Sequence, residues 1–78
     1  MKYVYLLESL TGEHHYTGIT DNLESRLSKH NSGVVTHTSK FRPWRIKTYV
    51  AFEDEARANS FEQYLKSGSG RAFAKPRL

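Results

Sequence analysis

The sequence contains no cysteine, which excludes disulfide staples, thiolate zinc sites and a cysteine nucleophile together. Small secreted domains usually carry such staples, so the lack of them favours a cytoplasmic chain. There is also no charged segment followed by a long apolar run, so neither a signal peptide nor a membrane span is expected. Length is short as well: 78 residues leave room for one modest core, and residues 1–78 read as a single domain. Acidic residues are the minority, eight Asp and Glu against twelve Lys and Arg, for a net charge of +4 and a pI near 9.6. That balance suits a polyanionic partner, although basicity also serves plain solubility. There is no internal repeat, linker or low-complexity tract.

What is present is organised around the stretch from Tyr16 to Gly33. Asp21 is a good helix N-cap, with Glu24 three positions later where a capping-box acid would stand. Asn31-Ser32-Gly33 closes the helix, Gly33 supplying a left-handed residue. Leu23 and Leu27 form its apolar stripe, while Arg26 and His30, one turn apart, lie along the stripe's border. Each of these two has an ordinary explanation, a snorkelling arginine and a half-buried histidine. Before this helix, Tyr3 to Leu7 reads as a strand, Ser9 to Glu13 as a turn, and His14 to Thr17 as the returning strand of a hairpin that brings Tyr5 and Tyr16 together. Gly18, directly after that strand, permits a tight turn or the close backbone approach of a ligand.

Beyond the helix, Val34 to Arg45 has no clear period but interleaves Lys40, Arg42 and Arg45 with Phe41 and Trp44. Such a loop can follow a phosphate backbone; equally, Phe41 and Trp44 can plug a small core while the charges stay solvated. Ile46, Thr48, Val50 and Phe52 then alternate with Lys47, Tyr49 and Ala51 in a third strand with one face to the core. Glu53-Asp54-Glu55 opens a second helix, where the dipole favours acids. Ala58, Phe61 and Leu65 form its buried stripe, with Tyr64 on one flank and Glu62 on the other. A Ser/Gly-rich break from Lys66 to Gly70 follows, then one short terminal turn or helix over Arg71 to Lys75. The order β-β-α-β-α makes the class α+β, a small three-stranded antiparallel sheet flanked by helices.

Taken together, these signals resemble the GIY-YIG nuclease family. Tyr3-Val4-Tyr5 stands in the place of its first tripeptide and Tyr16-Thr17-Gly18 in that of the second, with Tyr5, Tyr16 and Gly18 literal matches. The likeness continues through Asn22-Leu23, Arg26, His30-Asn31-Ser32-Gly33, Glu62 and Leu65-Lys66, and it is greatest to the short stand-alone URI-type members, whose ending is similar to Leu65 through Phe73. One departure is Ile19, at a place where some members, the repair incision nucleases among them, carry lysine.

The resemblance implies an endonuclease that hydrolyses DNA phosphodiester bonds in repair, recombination or processing, with one divalent ion, Mg²⁺ or Mn²⁺. It implies Glu62 as the metal ligand, Arg26 as a clamp on the phosphate, and Tyr5, Tyr16 and His30 as the groups that position and deprotonate the attacking water. Gly18, Lys40, Arg42 and Arg45 are the expected contacts to nucleic acid. A domain this small would take sequence specificity from an attached domain or a protein partner. The main rival is an idle nucleic-acid binding module of the same fold, which would keep the basic surface without turnover. A zinc site built from His14, His15, His30 and His37 is disfavoured, because adjacent histidines on a strand point to opposite faces. A purely protein-binding adaptor has no specific support.

Overall fold

The computed structural model describes residues 1–78. Strand β1 runs over Lys2–Ser9, β2 over His15–Thr20 and β3 over Trp44–Phe52; helix α1 spans Leu23–Ser32, α2 Glu55–Lys66 and α3 Gly68–Arg77, with a 3₁₀ turn at Ser39–Phe41. The strands form one antiparallel sheet in the order β2-β1-β3. β1 is central, which is why its residues Val4 to Leu7 are buried on both faces. On one face Tyr5, Leu7 and Trp44 pack with Leu23 and Leu27 of α1. On the other, Val4 and Leu6 pack with Ala58 and Leu65 of α2, and Phe73 and Ala74 of α3 close around them. The expected α+β class and the order of elements along the chain are those observed.

Four local features differ from expectation. The α1 N-cap is Asn22, not Asp21: the Asn22 Oδ1 accepts the Ser25 N–H at 3.0 Å, and Thr20 Oγ1 accepts the Asn22 N–H at 3.1 Å. This Thr20 turn sets the helix frame one residue later, so Glu24 falls short of the capping-box position. Second, β2 does not end at Thr17 but continues through Gly18 to Thr20, with Gly18 opposite Tyr5. Third, the alternation in β3 is interrupted. Leu6 pairs with Thr48 but Leu7 pairs with Ile46, leaving Lys47 as the extra residue of a bulge. Ile46 and Trp44 therefore join Leu7 on the α1 face, while Val50 lies opposite Val4 on the α2 face. Last, the terminal helix is ten residues long and starts earlier than Arg71. Ser67 caps it by accepting the Gly70 N–H at 3.1 Å, and a Cβ on buried Gly70 would overlap the Tyr64 carbonyl. Glycine at 70 is thus what lets α3 turn tightly back against α2. Pro76 lies within the last turn of α3 and has no N–H to offer the Ala72 carbonyl.

The aromatic loop residues divide. Trp44 is a core residue, 4% exposed, and its indole Nε1–H donates to the Thr38 carbonyl at 2.8 Å. Phe41 instead remains at the surface and stacks on His14, with ring centroids 3.7 Å apart.

Leu65 joins α2 to the sheet at 3% exposure, whereas Phe61, only half-buried, packs against Phe52 at 5.5 Å. Leu65→Ala is expected to cost about 2 to 5 kcal/mol, a large share of the roughly 5 to 15 kcal/mol available to a small domain. Urea denaturation checks this, and an unchanged midpoint would contradict the packing of α2.

Candidate active site

The α1 face of the sheet carries a chain of polar side chains inside an otherwise apolar layer. Tyr5, at the middle of β1, is 2% exposed, and its ring lies over Gly18 on the neighbouring strand. A Cβ at position 18 would overlap the Tyr5 hydroxyl. Glycine is required there to make room for the tyrosine.

The Tyr5 hydroxyl lies 2.9 Å from His30 Nε2 and accepts the Arg26 Nε–H at 3.4 Å. The one-turn spacing of Arg26 and His30 on α1 is what allows both to reach the same oxygen. Tyr16, on β2, completes the group: its ring centroid is 4.9 Å from that of His30 and 6.4 Å from that of Tyr5. His30 is fully buried, and its Nδ1 lies 2.8 Å from Thr38 Oγ1. The Thr38 hydroxyl donates in turn to the Val35 carbonyl at 3.4 Å, so its oxygen accepts from His30. That assigns the Nδ1–H tautomer, leaving a lone pair on Nε2 to accept the Tyr5 O–H.

Electrostatics agree with this direction. Burial, followed by the charge of Arg26, holds His30 below its ordinary range, so the imidazole is neutral at pH 7. Burial raises the Tyr5 phenol, and the Arg26 hydrogen bond offsets part of that rise. The resting site is a phenol donating to a neutral imidazole, with a guanidinium on the phenol oxygen. A consequence for stability follows. The unfolded chain binds a proton at His30 near pH 6.5, and the folded chain binds it only at lower pH. Stability is therefore retained above about pH 6.5 and lost as pH falls toward the folded value. The melting temperature should fall between about pH 7 and 5, and His30→Gln should flatten that part of the profile.

Glu62, on α2, is 6% exposed and close enough for its carboxylate to act electrostatically on Tyr5. It forms an ion pair with Lys66 one turn later and accepts the Gln63 Nε2–H at 3.1 Å. No cluster of three or more His, Cys, Asp or Glu side chains converges anywhere in the chain. Glu62 is the one carboxylate beside this group, and a single carboxylate could hold a hard divalent ion that keeps most of its water.

The three expected loop cations stand apart from this group. Arg45 is held by Glu8, which also meets His15 at 3.1 Å; these two partners are why the Glu8 carboxyl sits below its usual range, with the His15 hydrogen bond the larger cause. Arg42 lays its guanidinium against Gly33 at the C-terminus of α1, and Lys40 is exposed on the 3₁₀ turn.

Two structural supports were not singled out from the sequence. Asn31 brackets the Trp44 backbone, accepting its N–H at 2.6 Å and donating to its carbonyl at 3.0 Å, which ties the end of α1 to the start of β3. Thr38 fixes the His30 tautomer. Asn31 was visible as part of the His30-Asn31-Ser32-Gly33 match, but nothing in the sequence separates Thr38 from Thr36 or Ser39.

Comparison with known proteins gives this arrangement a context. Residues 1–75 match the model of the GIY-YIG catalytic domain. The chain is 39% identical over 67 residues to UPF0213 protein CPE1444 of Clostridium perfringens, covering 85% of this chain and 71% of that protein. It is 40% identical over 63 residues to the UPF0213 protein in the ldhD 5' region of Pediococcus acidilactici, covering 77% and 64%. The chain thus spans about two thirds of the length of these relatives. Among solved structures, the solution NMR structure of UPF0213 protein BH0048 from Bacillus halodurans is similar at a TM-score of 0.57 and 34% identity, covering 96% of this chain and 81% of that one. No helix is long and apolar enough to cross a membrane. A catalytic-domain match running from β1 into α3, over a sheet that stacks Tyr5 on Gly18, makes this chain a member of the GIY-YIG family, alongside its small UPF0213 proteins.

Proposed function

We propose that this chain is a divalent-metal-dependent endonuclease that hydrolyses DNA phosphodiester bonds, with Glu62 as the ligand of Mg²⁺ or Mn²⁺. The observation that carries this reading is the Tyr5 hydroxyl, buried between a neutral His30 and the Arg26 guanidinium. The bound ion would supply positive charge at the phosphoryl oxygens.

The chain's own groups account for the proton. Tyr5 donates to His30 and accepts from Arg26, which leaves one lone pair on its oxygen for a water poised to attack phosphorus. As that water loses a proton to the Tyr5 oxygen, the phenolic proton passes to His30 Nε2. Tyr5 then need never rest as a phenolate, which its burial disfavours. Thr38 accepts from Nδ1–H throughout and holds the ring in register. Arg26 stabilises the oxygen while the proton is in transit, and its remaining guanidinium donors are available to a phosphate oxygen. Tyr16, packed on His30, orients the imidazole. Lys40 and Arg42 remain available for flanking phosphates; Arg45, engaged by Glu8, contributes less.

The Lys66–Glu62 ion pair favours a second reading, a phosphate-binding module without turnover, since it neutralises the one carboxylate at the site. A fluorescently labelled panel of duplex, nicked and flapped DNA, incubated with Mg²⁺ or Mn²⁺ and with EDTA, separates the two. Metal-dependent strand scission supports the nuclease. Salt-dependent binding with no scission in any metal supports the inactive module.

A further inference from the structure

On the sheet face opposite α1, the strands and helices α2 and α3 enclose a pocket of about 600 Å³, within the range of built ligand sites. Its floor is aliphatic, made by Leu6, Leu65, Ala74 and Leu78. Its rim is cationic, made by Lys47, Lys66, Arg71 and Lys75, and no Asp or Glu lines it. Lys47 reaches this rim because it is the bulge residue of β3. Lys47, Arg71 and Lys75 are exposed and form no ion pair. An aliphatic floor under unpaired cations fits a ligand with a flat apolar body and anionic flanks. A base in a duplex cannot offer that, because its faces are covered by stacked neighbours and its edge by its partner; an unpaired base between two phosphates can.

The pocket lies across the sheet from the Tyr5 hydroxyl and meets the candidate active site only through β2 and through Glu62 on α2. Tyr16, which packs on His30, and Lys66, which pairs with Glu62, both line it. We propose that this pocket receives one unpaired base of the DNA strand leaving the scissile phosphate, with flanking phosphates on Lys47, Arg71 and Lys75. The proposal rests on the nuclease reading for the position of that phosphate. It makes α3 a specificity element that favours a flap or gap over continuous duplex. A phosphate at the rim also competes with Glu62 for Lys66, so that seating the strand releases the carboxylate.

The test uses the full chain in EDTA, with labelled oligonucleotides compared by anisotropy as matched duplex and as the same duplex bearing a short single-stranded flap. Wild type should bind the flap about tenfold more tightly, the order expected when one base face covers roughly 50 Å² of the aliphatic floor. Arg71→Ala/Lys75→Ala, two exposed positions with no folding role, should abolish the preference, lower the salt slope for the flap by about 0.7 for each charge removed, and leave duplex affinity unchanged. 2-Aminopurine in the flap should change its emission on binding wild type and not the double variant. Equal affinity for both DNAs, or a variant that weakens both alike, overturns the proposal. Cleavage in Mg²⁺ is scored separately: a flap preference without scission removes the nuclease reading alone, and scission without a flap preference removes the pocket alone.

Discussion

Glu62→Gln is expected to lower metal-dependent cleavage by about three orders of magnitude, because a cation on the phosphoryl group contributes several kcal/mol to the transition state. The substitution keeps the shape and the hydrogen bond from Gln63 and removes only the charge. Its effect on folding should be small. The Lys66 ammonium that loses its partner is half exposed and stays hydrated, and a neutral amide at the buried position 62 costs less desolvation than a carboxylate, so the melting temperature and the DNA affinity in EDTA should stay near wild type. Mn²⁺ binding, read by electron paramagnetic resonance, should weaken in Glu62→Gln and strengthen in Lys66→Gln, where the carboxylate has lost its competitor. Wild-type cleavage by Glu62→Gln would remove the carboxylate from the chemistry and leave the Lys66 pair as a purely structural contact.

The strands and the helix stripes were legible because they are written in period: alternation of faces in β1 and β3, and Leu23/Leu27 and Ala58/Leu65 at helical spacing; the central place of β1 in the sheet was not. The features that were not legible depend on contacts between distant residues. Gly18 looks like a turn glycine from its neighbours, and only the pairing of β2 with β1 shows that its missing side chain is the space Tyr5 occupies. The bulge at Lys47 leaves no mark in a sequence that alternates without a break, yet it sends Trp44 and Ile46 to the opposite face from Val50. Trp44 and Phe41 sit in equivalent surroundings in the chain, but only Trp44 meets the bracket of Asn31 and the Thr38 carbonyl. For the candidate site, Arg26 and His30 at one-turn spacing were readable as a pair. That they share the Tyr5 oxygen, and that Thr38 selects the imidazole tautomer, required the tertiary fold.

Tyr5→Phe is expected to reduce cleavage by about 10² to 10⁴, the range of a lost proton-transfer group, and Arg26→Ala by about 10² to 10³, the range of a lost charge-stabilising donor. Together they should cost much less than the product of the two losses, since Arg26 acts largely through the Tyr5 oxygen and has little left to stabilise once the hydroxyl is gone. Tyr5→Phe is the sharper probe. It retains the ring that packs on Gly18 and in the Leu7 and Trp44 layer, and it removes a single oxygen. Some stability should be lost, about 1 to 3 kcal/mol, because His30 Nε2 is left buried without a donor. Rates are therefore compared as single turnovers at saturating enzyme, well below the melting temperature of each variant. Multiplicative losses would mean that Tyr5 and Arg26 act on different steps. A near-normal rate in Tyr5→Phe would take the tyrosine out of the proton path; His30 Nε2, already neutral and freed of the phenol, would then be the group that receives the proton from water directly.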